Sequence, residues 1–255
     1  MLTCVLESGS KGNCTLIKGQ NINLLIDAGG TFKYLCDKLK ELDLSIKDIN
    51  YILISHTHSD HTSALQNIIK VASPTIIVSE LMYKDLGFLK RYDNVMFMEE
   101  SFTLDNIEIE TIKTSHDTTD SRGFIITEGK SSLVQITDTG YLNQKYFRKL
   151  KNKNLYILES NHNVEMLMHG RYPKWLKARV ASDEGHLSND ASSFYLTKII
   201  GSKTKMVILA HLSEENNTPE IALATLKKEL EDNNIEFTNY ITAKQNERTD
   251  LIEVW

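Results

Sequence analysis

Apolar positions along the chain recur with two periods. Short apolar runs at 2–6, 15–17 and 22–26, bounded by glycine-containing turns, predict opening strands. From 32 to 42 the period lengthens: Leu35, Leu39 and Leu42 recur three and four residues apart, which predicts a helix with one buried face. Residues 51–55 read as a strand, 62–70 as a helix, and 75–78, 95–98, 107–114, 123–128 and 131–137 as further strands. Beyond Tyr141 helices are expected at 143–150, 189–200 and 219–230, and strands at 155–159 and 205–210. Pro219 stands in the first turn of the last helix, where no backbone N–H is needed.

The strands fall into two sets, each accompanied by helices. Two sheets packed face to face, with helices outside, satisfy that pattern: a four-layer αβ/βα sandwich of α/β (α+β) class. No repeat, low-complexity tract or Pro/Ser-rich linker divides the 255 residues, so one continuous domain over 1–255 is expected.

Composition alters this picture little. With 41% hydrophobic and 25% charged residues the chain has the balance of a water-soluble globule. Its apolar runs, such as those at 52–54 and 76–78, are too short to span a bilayer, and neither end shows a charged-then-apolar leader. A cytoplasmic protein without membrane association is the expectation. The net charge of −5 argues weakly against general adhesion to nucleic acid and says nothing of a local basic patch. Cys4, Cys14 and Cys36 are odd in number, match no metal-pair spacing, and read as small buried apolar side chains.

The chemistry lies in Ser55-His56-Thr57-His58-Ser59-Asp60-His61-Thr62, where three of the chain's eight histidines and one carboxylate fall within six residues. In an extended segment His56 and His58 point the same way and can reach one ion. Asp60 and His61 are adjacent and diverge unless the backbone turns, a turn that a helix starting near Thr62 would supply. Four donors do not complete two ions. Further donors stand at the ends of later apolar runs: His116-Asp117 after 107–114, Asp138 after 131–136, and His211 after 205–209. Each alone is a weak signal, but together they match the donor supply that two divalent ions require.

These residues are those of the metallo-β-lactamase superfamily, which the chain resembles over essentially its whole length. The resemblance implies a first metal site of His56, His58 and His116 and a second of Asp60, His61 and His211, with Asp138 bridging. Asp27, in Leu25-Ile26-Asp27-Ala28-Gly29, is similar to the superfamily's structural carboxylate beneath the metal loop. Ser8-Gly9-Ser10-Lys11-Gly12-Asn13-Cys14-Thr15, Thr137-Asp138-Thr139-Gly140-Tyr141, Glu159-Ser160-Asn161-His162, Gly185-His186-Leu187-Ser188-Asn189 and the segment from Ala210 to Asn217 resemble the small bacterial YycJ/WalJ-type nucleases. That subgroup implies a 5′-to-3′ exonuclease acting on DNA, with RNA as a second candidate. Two departures stand out. Ala64 occupies a position where the superfamily often has glycine, and there is no room for the inserted β-CASP domain of the larger processive nucleases.

The implied cofactors are two divalent ions, Zn²⁺ or Mn²⁺: the first site is nitrogen-rich and suits zinc, the second richer in oxygen and open to manganese. Such a pair would activate a bridging water and clamp attacking and leaving oxygens. By resemblance Glu159 and His186 form the pair that returns a proton to the leaving alkoxide, with His162 an alternative acid, and Asp60 is counted with the catalytic carboxylates. Ser10 and Asn13, in a polar turn or anion cradle, are expected to touch substrate, as are Asn161 and the residues Ser188 and Asn189 before a helix. Arg171 opens a basic, aromatic-bearing segment, 171–179, that would suit a nucleic-acid strand, and Lys145, Arg148, Lys149, Lys151 and Lys153 form a second basic stretch. Two other readings remain open on sequence alone: a small-ester hydrolase such as a lactonase or glyoxalase-II-like thioesterase, and a metal-retaining regulatory protein without activity.

Overall fold

The computed structural model describes residues 1–254. The first half comprises β1 (Leu2–Glu7), β2 (Cys14–Lys18), β3 (Asn23–Ile26), α1 (Phe32–Lys40), β4 (Tyr51–Leu53), α2 (Ser59–Thr62), α3 (Leu65–Val71), β5 (Thr75–Val78), α4 (Glu80–Asp85) and β6 (Val95–Phe97). The second comprises β7 (Ser101–Leu104), β8 (Ile107–Lys113), β9 (Arg122–Glu128), β10 (Ser131–Ile136), α5 (Phe147–Leu150), β11 (Leu155–Glu159), α6 (Val164–His169), α7 (Lys174–Val180), α8 (Asn189–Ile199), β12 (Met206–Ala210) and α9 (Pro219–Asp232), closed by β13 (Tyr240–Thr242) and β14 (Ile252–Glu253).

Two sheets form, in the orders β14-β1-β2-β3-β4-β5-β6 and β13-β12-β11-β10-β9-β8-β7. Each begins as an antiparallel meander and turns parallel, from β3 onward in one and from β10 onward in the other. Parallel strands need crossover connections, and the helices supply them.

Period-two alternation decides which layer each side chain enters. In β3, Leu24 and Ile26 face the other sheet while Leu25 faces the helices. In β11, Ile157 lies between the sheets and Leu158 on the outer side. Three apolar layers result. One fills the space between the sheets; the second joins the first sheet to Leu35, Leu39, Leu65, Ile68 and Met82 of α1, α3 and α4; the third joins the second sheet to Leu196, Ile199, Leu226 and Leu230 of α8 and α9. Each such buried side chain contributes roughly 1.5–3 kcal/mol relative to exposure. The αβ/βα sandwich expected from the pattern is the architecture observed.

Differences arise where elements are short. The helix expected at 62–70 is two pieces, α2 and α3, and α2 starts at Ser59. The helix expected at 143–150 is a 3-10 turn followed by the four-residue α5. Strands β13 and β14 carry no pattern of their own; ladder bonds to β12 and β1 recruit them. Cys4 and Cys14 are buried and Cys36 half-buried, all three as free thiols.

Candidate metal centre

The polar residues of interest cluster where strands end. After β4 the chain stays extended through His58, which precedes α2 with φ −60° and ψ 150°. His56 and His58 thus project to one side. Asp60 and His61 lie inside α2, where successive residues are about 100° apart. The turn that brings both toward one group of ligands begins at Ser59, three residues before Thr62. His61 is fully buried, and Asp60 stays partly open.

Asp27, just after β3, fixes this loop from beneath. Its Oδ1 accepts the Ser55 N–H at 2.7 Å, and its Oδ2 accepts the Ser55 hydroxyl at 2.7 Å and faces His61 Nδ1 at 2.8 Å. A carboxylate on Nδ1 holds the imidazole with Nε2 turned to the centre. The neighbouring backbone is pressed close: a Cβ on Gly29 would stand 1.7 Å from the Asp60 carbonyl oxygen, so glycine is required there. Ala64 is buried and donates its N–H to Ala28 at 2.9 Å, an ordinary contact at that departure from the superfamily.

The second half contributes His116 after β8, Asp138 after β10, Glu159 at the end of β11 and His211 after β12. Asp27, Asp138 and His211 all adopt left-handed backbone, with φ of 62°, 56° and 56°. Such conformations cost roughly 1–3 kcal/mol each and persist where surrounding structure enforces them.

Three groups of potential ligand atoms lie within 4.8 Å of one another: His56, His58 and His116; Asp60, His61, Asp138 and His211; and Asp138, Glu159, His186 and His211. All seven residues singled out as ligands from the sequence are thereby brought together. His116 Nδ1 donates to the Gly185 carbonyl at 3.1 Å, leaving Nε2 for the centre. His56 Nε2, His211 Nε2 and Asp138 Oδ2 are buried without a hydrogen-bond partner among the described residues. Unpartnered buried polar atoms cost about 1–3 kcal/mol each, and three converging on one place fit a bound cation. The residues present therefore suit divalent metal.

Electrostatics agree. Burial pushes His56 well below the ordinary imidazole range, helped by His61, and lowers His116 although Asp138 opposes it. Both are neutral, as ligands must be. Burial would also lower His211, yet the charge of Asp138, the nearby Asp60 carboxylate and the charge and hydrogen bond of Glu159 push it up to about 10. His61 rises well above its usual value because Asp138, Asp27 and Asp60 overcome its burial. Asp138 and Asp60 are correspondingly lowered against their burial, by His211 and His61 for the first and His61 for the second. Protons on His61 and His211 thus balance the carboxylates, and a divalent cation would exchange for them.

Glu159 joins this cluster to a second feature. It is fully buried, and Oε1 lies 2.6 Å from His186 Nδ1 and 3.1 Å from His211 Nδ1. Its Oε2 accepts the N–H groups of Thr139 and Leu187 at 3.0 and 3.1 Å. Despite burial, the charge and hydrogen bond of His186 bring it down to about 2. One carboxylate therefore orients both a candidate ligand and the imidazole of His186, which lines the cleft beside the cluster.

That cleft, about 260 Å³, separates the sequence-predicted substrate residues into two sets. Ser10 and Asn161 line it. Asn13 does not: buried, it places Nδ2 3.1 Å from Asp60 Oδ2 and 3.0 Å from His61 Nε2, beneath the cluster. Asn189 is buried too, accepting from Ser160 Oγ at 2.7 Å and Asn217 Nδ2 at 2.9 Å, out of reach of a phosphate. Ser188 accepts the Ala191 N–H at 3.1 Å and caps α8. Arg171 lies in an outer groove with Met166, His169 and Glu215. His162 lies outside the cleft lining, and burial lowers it to about 4, so it is neutral near pH 7 and ill suited to donate a proton. Lys151 and Lys153, from the second basic stretch, surround a separate cavity with Lys130 and Lys203 at the opposite strand ends.

Asp117, Tyr172, Leu176, Arg179 and Ser213 also line the cleft; the sequence offered Asp117 beside His116 and Tyr172, Leu176 and Arg179 within the basic segment 171–179, but none of them as an individual substrate contact. Asp117 follows His116 directly and Arg179 closes the basic segment that Arg171 opens, so adjacency was a usable signal for both.

Residues 8–211 match the family model of the Metallo-beta-lactamase superfamily. The chain belongs to that superfamily. The enzyme is 33% identical over 233 residues to Exodeoxyribonuclease YycJ of Bacillus anthracis, covering 89% of this chain and 88% of the relative. It is 32% identical over 233 residues to Exodeoxyribonuclease WalJ of Streptococcus pneumoniae serotype 2, covering 89% and 87%. Among solved structures, the metallo-beta-lactamase fold protein YhfI of Bacillus subtilis matches with a TM-score of 0.70 over 98% of this chain and 100% of that one; at 17% identity the likeness is one of fold.

Proposed function

We propose that this enzyme is a two-metal phosphodiesterase that shortens DNA from its 5′ end, with RNA a second candidate substrate. The observation that carries the reading is the placement of His186: Nδ1 is held by buried Glu159, and the ring lines the cleft beside the ligand cluster. Phosphodiester hydrolysis must protonate a leaving alkoxide, and a cleft-facing imidazole oriented by a carboxylate is suited to hold that proton. The two relatives named as exodeoxyribonucleases support DNA as the polymer.

His56, His58 and His116 would hold one ion and Asp60, His61 and His211 the other, with Asp138, which sits between imidazoles of both groups, as the bridge. The all-imidazole group suits Zn²⁺, and the carboxylate-bearing group accepts Mn²⁺ as well. The chemistry that such a pair supplies when bound is activation of water for attack and neutralisation of the phosphate's developing charge. Asp27 holds His61 through Nδ1, Glu159 orients His211 and His186, and Gly185 fixes His116. Tyr172, Leu176 and Val180 form the less polar wall, while Ser10, Asn161 and Ser213 offer hydrogen bonds. Among the described residues no helix is long and apolar enough to cross a membrane, and we place the activity in the cytoplasm.

The test is digestion of oligonucleotides labelled at either end, with Mn²⁺ or Zn²⁺ supplied, beside a His58→Ala control. Metal-dependent shortening from the 5′ end, absent from the control, is expected. Metal-loaded protein that leaves every oligonucleotide intact would sink the reading.

A further inference from the structure

Three carboxylates, Asp60, Asp117 and Asp138, line the cleft, and Arg179 is the single fixed cation among the described residues that do so. An anionic substrate entering that cleft meets one guanidinium besides any bound metal. Arg179 sits in the last turn of α7 and is about half exposed, with a side-chain exposure of 49%. Its Nε donates to Asp117 Oδ2. No other described residue pairs with its two Nη groups, which leaves the fork free for a ligand.

The mounting is rigid. The Arg179 carbonyl accepts from Ser182 N at 3.2 Å, the Val180 carbonyl accepts from His186 N at 2.9 Å, and Asp117 N donates to the Glu184 carbonyl at 3.1 Å. The carbonyl of Gly185, in the same turn, accepts from His116 Nδ1 at 3.1 Å. A Cβ on Gly185 would stand 2.2 Å from the Val180 oxygen, so the turn can close only over glycine. One short turn, 179–186, therefore sets Arg179, His186 and His116 in fixed relation. Asp117 is held there as well, with Oδ1 3.5 Å from His116 Nε2 and 3.8 Å from His58 Nε2.

We propose that Arg179 is the phosphate-binding residue of the cleft: its Nη groups take a non-bridging oxygen of the substrate phosphodiester, while Asp117, holding Nε, acts as a positioning residue. The proposal rests on the phosphodiesterase reading and names the group that recognises the anion. Planar guanidinium suits phosphate oxygens, and a carboxylate on Nε fixes the plane of the fork before substrate arrives. Arg171, expected from the sequence to meet the strand, faces the outer groove instead.

The experiment compares wild type, Arg179→Ala, Arg179→Lys, Asp117→Asn and Arg171→Ala on a 5′-labelled single-stranded oligonucleotide over a range of salt concentrations. A charge-assisted hydrogen bond of this kind is worth about a ten- to hundred-fold change. KM is expected to rise by that factor in Arg179→Ala, with kcat much less affected. The salt dependence of log KM should lose about 0.7 in slope, the signature of one phosphate contact fewer on a single strand. Lysine should restore the slope but only part of the affinity, because it keeps the charge without the fork. Asp117→Asn should raise KM less than Arg179→Ala and leave the slope in place. An unchanged KM and slope in Arg179→Ala, or a loss that follows Arg171→Ala instead, overturns the proposal.

If wild type cleaves no phosphodiester, the function reading falls by that result alone. Equilibrium binding of a fluorescent oligonucleotide to the metal-loaded protein still decides the arginine's part. A ten-fold or greater weakening in Arg179→Ala upholds phosphate binding there, and equal affinity refutes it.

Discussion

Glu159 illustrates how much one buried carboxylate can govern. It holds His186 on one side and His211 on the other, so its removal and that of His186 should differ in kind. His186→Ala is expected to lower kcat about 10²–10⁴-fold, the usual worth of a general acid, with metal content by elemental analysis unchanged. Glu159→Gln should lower kcat too and also weaken metal binding about 10–100-fold, because the residue orienting a ligand has lost its charge. A His186→Ala enzyme that keeps wild-type kcat would remove it from the chemistry. At this scale the dense H-x-H-x-D-H run was legible because such spacing rarely has another use. Asn13 and Asn189 were legible as polar residues beside the site but not as buried ones, since nothing local in sequence says which way a loop side chain turns. Arg179 was legible only as one residue of the basic segment 171–179, because Asp117, which fixes it in the cleft, lies 62 positions away.

At the scale of elements, the long ones announced themselves and the short ones did not. Helices α1 and α9 show their buried faces through Leu35 and Leu39 and through Ala222, Leu226 and Leu230. Two to seven residues, as in β14, α4, α6 and α7, are too few to display a period, and neighbours recruit them. The four-residue α2 matters most, because it turns Asp60 and His61 toward one group of ligands and packs directly on Gly29. Gly29→Ala would force that helix away, at a cost of roughly 1–3 kcal/mol for overpacking or more, and should lower both melting temperature and metal content. Ser188 offers a contrast. As the cap of α8 its replacement by alanine should cost about 1 kcal/mol in chemical denaturation and leave KM for an oligonucleotide unchanged. A raised KM without lost stability would instead put a phosphate at that helix start.

The whole molecule couples its folding to the site through charge. The sandwich itself could be read from strands that fall into two sets, each accompanied by helices. That six strand ends would meet across two sheets was not a property of any one segment; it follows from packing, and the superfamily resemblance stood in for it. Once packed, the carboxylates Asp138, Asp60 and Glu159 hold a proton on His211 up to about pH 10, against 6.5 for a free imidazole. A folded-state value raised in this way gives stability that is fully present below 6.5 and lost as pH rises towards 10. His61, raised for similar reasons, adds to the same slope. Metal-free enzyme should therefore melt at progressively lower temperature from pH 6.5 to about 8.5, a window that stops short of the thiol range near 9 where Cys4 and Cys14 would contribute. Metal removes that slope. A cation needs the neutral imidazole, so above 6.5 neither the loaded nor the unfolded state carries these protons and stability should stay level over the same window, falling only as pH drops below 6.5. Scanning calorimetry of chelator-treated and Zn²⁺-loaded protein across that window measures both slopes. Parallel curves would mean that His61 and His211 do not exchange protons for metal, and the ligand assignment would fail with them.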